Sequence, residues 1–150
     1  MTTVGEPAPD FSLTDQHGNT VTLADQRGHR TLVFFYPRAN TPGCTNQACG
    51  LRDIAGDVGD VEIIGISPDT PRKQLNWDEK HSLGFTLLSD PDHEVAEAFG
   101  AWGEKKNYGK TYDGIIRSAY LIDADGVIEQ AWPKISPKDT PVKLLAALDD

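Results

Sequence analysis

One stretch limits the fold of this chain more than any other. An apolar run, Thr31-Leu32-Val33-Phe34-Phe35-Tyr36, is followed by a turn at Pro37, a helix start at Thr41-Pro42 and a second apolar run at Val61–Ile66. Each run is short, continuous and rich in β-branched or aromatic residues, the pattern of a strand covered on both faces. Thr41 offers an N-cap, and Pro42 suits the first helical position because the N–H it lacks would have no helical partner there. The helix carries Ala48, Leu51, Ile54 and Ala55 and is expected to end near Gly56 or Gly59. Strand, helix and strand of these lengths join as a right-handed unit with parallel strands.

This arrangement puts Cys44 at the third helical position, beside unpaired backbone N–H groups and the positive end of the helix dipole. A thiol in such a place gives up its proton more readily than a free one, since the thiolate is the form the site solvates. The plainer alternative is a small buried core residue. The capped helix start favours a nucleophile, at the carboxyl end of a central strand where open α/β sheets tend to bind ligands. Thr41 is expected to accept from the first helical N–H groups while its hydroxyl hydrogen points at a reacting oxygen. Pro37 ends the strand and shields the turn.

The rest of the chain supports an α/β sandwich with a mixed sheet. Residues 1–10 read as a Pro-rich arm. Phe11-Ser12-Leu13 and Thr20–Leu23 flank His17-Gly18-Asn19 as a short hairpin, and Ala24–Arg30 is a polar connection. Thr70-Pro71 repeats the cap signal for a helix to about His81, Phe85–Leu88 is a short strand, and Ser89-Asp90-Pro91 caps a helix through Phe99. Gly100–Gly114 reads as a long loop carrying Lys105, Lys106 and Lys110. Arg117–Asp123 and Val127–Trp132 form a hairpin around Ala124-Asp125-Gly126. A last helix, Pro141–Leu148, turns Val142, Leu145 and Leu148 inward. Trp77, Trp102 and Trp132 are read as core or pocket wall.

A chain of 150 residues can form one domain with a genuine core. The net charge of −9 disfavours nucleic acid or an anionic membrane surface as the main partner. Met1–Pro7 has neither a basic nor an apolar leader pattern, so no signal peptide is expected and the cytoplasm is the expected location. In that compartment Cys44 and Cys49, five positions apart, point to redox or metal chemistry before a permanent staple.

Pro37-x-x-x-Thr41-x-x-Cys44 resembles the active-site motif of the peroxiredoxins. Phe35-Tyr36-Pro37, Asn40–Thr45 and Ala48-Cys49, with Trp102–Lys110 and Gly114–Ser118, resemble the bacterioferritin comigratory protein, or peroxiredoxin Q, subfamily. The resemblance runs from Pro7-Ala8-Pro9-Asp10-Phe11 to the terminal helix. It implies a thioredoxin-like three-layer sandwich and a peroxidase acting on hydrogen peroxide and organic hydroperoxides. It implies that Cys44 is the peroxidatic cysteine and Cys49 the resolving one, with Pro37, Thr41 and Arg117 completing the site. The backbone N–H groups of Gly43 and Cys44, the Thr41 hydroxyl and the Arg117 guanidinium would bind the peroxide and its departing oxygen. The sulfenic acid on Cys44 condenses with a thiol, Cys49 or an outside one. By implication a thioredoxin-like dithiol protein reduces the resulting disulfide, and no metal, flavin or haem is needed. A monomer is expected, with a weak dimer the alternative. The subfamily usually carries glutamate where this chain has Gln47, the natural partner of Arg117, and often a Lys-Asp pair in place of Arg38-Ala39.

Three other readings compete. Cys44 and Cys49 with His17, His29, His81 or His93 could bind zinc, though no ligand spacing supports it. A thioredoxin-type disulfide oxidoreductase would be expected to carry Cys-x-x-Cys. A binding module built on Lys105–Lys110 and Trp102 leaves the cysteines unexplained.

Overall fold

The computed structural model describes residues 3–148. Met1 and Thr2, at the start of the expected arm, lie outside the described residues. In chain order the elements are β1 (Ser12–Asp15), β2 (Thr20–Thr22), a 3-10 turn (Ala24–Gln26), β3 (Arg30–Phe35), α1 (Pro42–Ile54), β4 (Val61–Ser67) and α2 (Pro71–His81). There follow β5 (Thr86–Ser89), α3 (Glu94–Phe99), β6 (Trp102–Asn107), β7 (Lys110–Ile115), β8 (Ser118–Ile122), β9 (Ile128–Trp132) and α4 (Asp139–Leu148). Among the described residues seven strands form one mixed sheet in the order β2-β1-β5-β4-β3-β8-β9. The strands β3, β4 and β5 run parallel, while β8 lies antiparallel to β3.

Strand alternation divides the core into two layers. Leu32, Phe34 and Tyr36 join Ile63, Leu87, Ala119 and Leu121 on the face covered by Leu51 of α1, Trp77 of α2 and Leu144 of α4. Val33 and Phe35 join Ile64, Ile66, Leu88, Tyr120 and Ile122 on the other face, under Ala96 and Phe99 of α3. Helices on both faces of the sheet make the three-layer, thioredoxin-like sandwich. Gly65 pairs with Phe34 across β4 and β3, and a Cβ on it would stand 2.8 Å from Phe34 Cζ. The aromatic layer needs that position empty.

Three expectations are corrected. Gly100–Gly114 contains a hairpin: β6 and β7 pair from Trp102↔Ile115 to Asn107↔Lys110. The two-residue turn sets Tyr108 at φ 52° and Gly109 at φ 76°, which matches the twist of the strands. Its residues from Lys110 to Asp113 are exposed, so no apolar alternation marks a strand in the sequence. The helix expected after Pro91 begins at Glu94 instead, with the Asp90 carboxylate accepting from Val95 N at 3.3 Å and Ala96 N at 3.0 Å. The most buried row of α4 runs through Thr140 and Leu144; Leu145 and Leu148 pack partly buried against the core, as expected, but Val142 is 61% exposed. The row turns that way because Thr140 meets a buried polar partner on α1. Of the tryptophans, Trp77 is buried at the core, and Trp102 stacks on His93 with ring centroids 3.7 Å apart.

Candidate active site

The site forms where β3 hands over to α1. The chain leaves the sheet after Phe35, passes Tyr36-Pro37, and reverses through Asn40 at φ 62° before Thr41 takes the extended N-cap conformation. The first helical bond runs from Thr45 N–H to Thr41 O at 2.8 Å. The N–H groups of Gly43 and Cys44 lie ahead of it, where an α-helix provides no acceptors. The turn is tied down from the loop after β4, since Ala39 N–H donates to Asp69 Oδ2 at 2.7 Å.

Cys44 is fully buried, and Cys49 is partly buried one turn further along α1; both are free thiols. Arg117 stands just before β8, the antiparallel neighbour of β3, and this pairing carries it to the start of α1. Its Nη2 lies 3.4 Å from Cys44 Sγ and its Nη1 donates to Gln47 Oε1 at 2.7 Å. One guanidinium thus spans the sulfur and the next turn of the helix. Gly43 makes room for it, for a Cβ there would stand 3.3 Å from Arg117 Nη2.

The structure departs from expectation at Thr41. Its side chain accepts from no helical N–H; instead Oγ1 donates to Arg38 O at 2.9 Å. The tight turn at Asn40 brings that carbonyl within reach, and a local acceptor wins.

Several contacts around the site have no signal in the sequence. Gln47 Nε2 donates to Thr140 Oγ1 at 2.9 Å, and Trp77 Nε1 donates to Thr45 Oγ1 at 3.1 Å. Lys105 brings a second cation from β6. Burial, then the charge of Arg117, holds its ammonium below the usual lysine range, against an opposing pull from Cys44. Beneath the turn, Tyr36 donates its hydroxyl to Gln74 Oε1 in a pocket whose burial pushes the phenol well up. A cleft of about 300 Å³ beside the turn is lined by Arg38, Asn40, Asp69, Lys73, Trp77 and Lys80. Neither Cys44 nor Arg117 lines it. Among the described residues no group of three or more His, Cys, Asp or Glu could hold a metal ion, and no helix is long and apolar enough to cross a membrane.

A thioredoxin-like sandwich with a buried thiol at a helix start, faced by a guanidinium, defines a thiol-based oxidoreductase. Residues 4–131 match the AhpC/TSA family. Peroxiredoxin Bcp of Escherichia coli K12 is 57% identical over 130 residues, covering 85% of this chain and 83% of that protein. Peroxiredoxin Bcp of Bacillus subtilis is 44% identical over 149 residues, covering 98% and 95%. A solved structure of Xanthomonas campestris peroxiredoxin Q superposes with a TM-score of 0.87 at 33% identity, over 93% of this chain and 90% of that one. The chain belongs to the AhpC/TSA family, in its bacterioferritin comigratory protein or peroxiredoxin Q branch, and is a peroxiredoxin-type thiol peroxidase.

Proposed function

We propose that the chain reduces hydrogen peroxide and organic hydroperoxides at Cys44, with Cys49 as the resolving thiol and a thioredoxin-like dithiol protein as reductant. The approach of Arg117 Nη2 to Cys44 Sγ, 3.4 Å, carries this reading. A structure of the Xanthomonas campestris bacterioferritin comigratory protein, reported for its alkyl peroxide reduction activity, is a further support.

The Cys44 thiolate attacks one peroxide oxygen. The S–O bond forms as the O–O bond breaks, leaving a sulfenic acid on Cys44 and an alcohol or water once the departing oxygen takes a proton. The N–H groups of Gly43 and Cys44 and the Arg117 guanidinium face the region where that charge grows, and fixed donors there stabilise the transition state directly. Thr41 joins them by turning its hydroxyl away from Arg38 O. Pro37 closes the turn without adding a competing N–H donor.

The Cys49 thiol then attacks the sulfenic sulfur, and water leaves as the Cys44–Cys49 disulfide forms. Exchange with the dithiol partner restores both thiols. Every group named belongs to one chain, so a monomer suffices, and the cytoplasm supplies the reducing partner.

Stopped-flow oxidation of the reduced protein by hydrogen peroxide and by an alkyl hydroperoxide tests this reading. Cys44→Ser should consume no peroxide, and Cys49→Ser should react once and then accumulate sulfenic and sulfinic acid detectable by mass spectrometry. A wild-type rate no faster than that of a free thiol, or first oxidation at Cys49, contradicts it.

A further inference from the structure

We propose that Thr140, on α4, is a positioning residue for Arg117: it anchors the far end of the Gln47 side-chain amide whose oxygen meets the guanidinium. This rests on the proposed role of Arg117 in the peroxide step. Donor and acceptor capacity carry it. A guanidinium can only donate, and a backbone carbonyl can only accept. Thr140 has one hydroxyl hydrogen, and its Oγ1 lies 2.9 Å from Ser136 O, which takes that hydrogen. Only acceptor lone pairs then remain on Oγ1. Gln47 therefore presents Nε2 to Thr140, at 2.9 Å, and Oε1 is left for Arg117 Nη1, at 2.7 Å.

Every donor in the chain Arg117–Gln47–Thr140–Ser136 points the same way, so a single reversal breaks it. Gln47 and Thr140 are 0% and 1% exposed, and water cannot replace a lost partner without opening the packing. Without an acceptor at 140, Nε2 is buried unpaired, and the amide keeps its oxygen toward Arg117 on the guanidinium's demand alone, with nothing holding its other end. A flipped amide would set N–H against N–H. The same segment holds the other end of the arginine, because Ile135 N–H donates to Arg117 O at 3.0 Å. The start of α4 also packs closely on α1: Pro141 Cγ lies 3.0 Å from where a Gly50 Cβ would stand.

Serine at 140 separates positioning from packing, since it keeps the hydroxyl and gives up only the methyl group. The test is the second-order rate of Cys44 oxidation by hydrogen peroxide, with thermal unfolding of each variant alongside. Thr140→Val should slow oxidation about fivefold, the worth of one net hydrogen bond, and Thr140→Ser should restore it. Unchanged oxidation in Thr140→Val, or slowing that serine does not restore, overturns the proposal. Thr140→Ala takes the place of valine if the branched side chain prevents folding. Hydrogen exchange of the Arg117 guanidinium, followed by NMR, needs no peroxide. It should quicken in Thr140→Val and recover in Thr140→Ser, and unchanged exchange overturns the proposal. If the wild type proves unreactive to peroxide while the NMR pattern holds, the proposed function falls and the positioning of Arg117 stands.

Discussion

Trp77 Nε1 donates to Thr45 Oγ1 across 3.1 Å, so the side chain beside Cys44 in sequence is pinned to α2. The bond ties the first turn of α1 to a buried ring that also packs on Tyr36, with centroids 5.1 Å apart. Trp77→Phe keeps much of the packing and removes the donor. Opening of the first turns should then become about fivefold easier, the worth of one net hydrogen bond. Amide hydrogen exchange in the reduced protein should show residues 45–52 losing protection while β3 and β4 keep theirs. Loss of protection spread evenly over the sheet would contradict this local role.

The proposed Cys44–Cys49 disulfide requires that opening. Both residues lie in α1, and five residues of α-helix separate Cα atoms by roughly 8–9 Å, on different faces. A disulfide normally needs less than about 7 Å. Oxidation should therefore strip exchange protection from residues 43–52, where Gly43, Thr45 and Asn46 are weak helix formers, and leave 31–36 and 61–66 protected. Equal protection of α1 in both redox states, with the disulfide confirmed by mass spectrometry, would contradict it.

Arg117 uses its two arms separately, one on Cys44 and one on Gln47. Arg117→Ala should slow the reaction with peroxide about 10²–10³-fold, the range for losing one fixed donor to developing negative charge. Arg117→Lys keeps the charge but cannot hold both partners in a planar fork, so it should fall between alanine and wild type. Stopped-flow fluorescence measures all three. An unchanged rate in Arg117→Ala would remove the residue from the site.

At Gly65 the sheet leaves no room for a methyl group, with Phe34 Cζ 2.8 Å and Tyr36 Cε1 3.0 Å from the Cβ position. Gly65→Ala should destabilise the fold by about 1–3 kcal/mol through overpacking, read from urea unfolding. Because Tyr36 leads directly into the turn before Cys44, the peroxide rate should fall as well.

Lys105 makes stability depend on pH in the alkaline range. Its folded pKa lies below the ordinary value, by burial first and the charge of Arg117 second. Between the folded and unfolded pKa values the unfolded chain binds more protons, so this group's contribution to stability rises with pH across that window. At neutral pH the charged form carries its full cost. Lys105→Met should therefore gain most over wild type at neutral pH, with the gain shrinking as the buffer becomes alkaline. A gain that grows with pH in paired urea titrations would reverse the assignment.

Local signals made much of the site legible in the sequence. Thr41-Pro42 marks the helix start, Cys44 follows from it by counting, and the continuous runs at 31–36 and 61–66 announce buried parallel strands. The Gln47–Arg117 contact was expected through the resemblance to peroxiredoxins. Thr140 had no such signal: it lies 93 positions from Gln47, and a threonine at a helix start usually reads as a cap. Val142 looked like the inward residue of α4, but the buried amide of Gln47 requires an acceptor and Thr140 supplies it. The hairpin of β6 and β7 escaped notice because its turn uses Tyr108 in the left-handed region, where Asn or Gly would have flagged it. At Thr41 the cap position was right and the hydroxyl was not, since Arg38 O offers a nearer partner.

The N-terminal arm does more than lead into the first strand. Gly5 N–H donates to Ile128 O at 2.9 Å, Ile128 N–H to Glu6 O at 2.9 Å, and Ala8 N–H to Gly126 O at 2.9 Å, with Pro7 bridged to Val127. These bonds meet the chain at the entry to β9, the last strand of the sheet. Unpaired edge strands are templates for chain-to-chain association, and proline is a common means of blunting them. The arm closes part of that edge and then presents Pro7 and Pro9, which have no N–H to extend the ladder. Deleting residues 1–8 would uncover the backbone of Gly126–Ile128 and turn a sealed margin into an adhesive one, with self-association as the result.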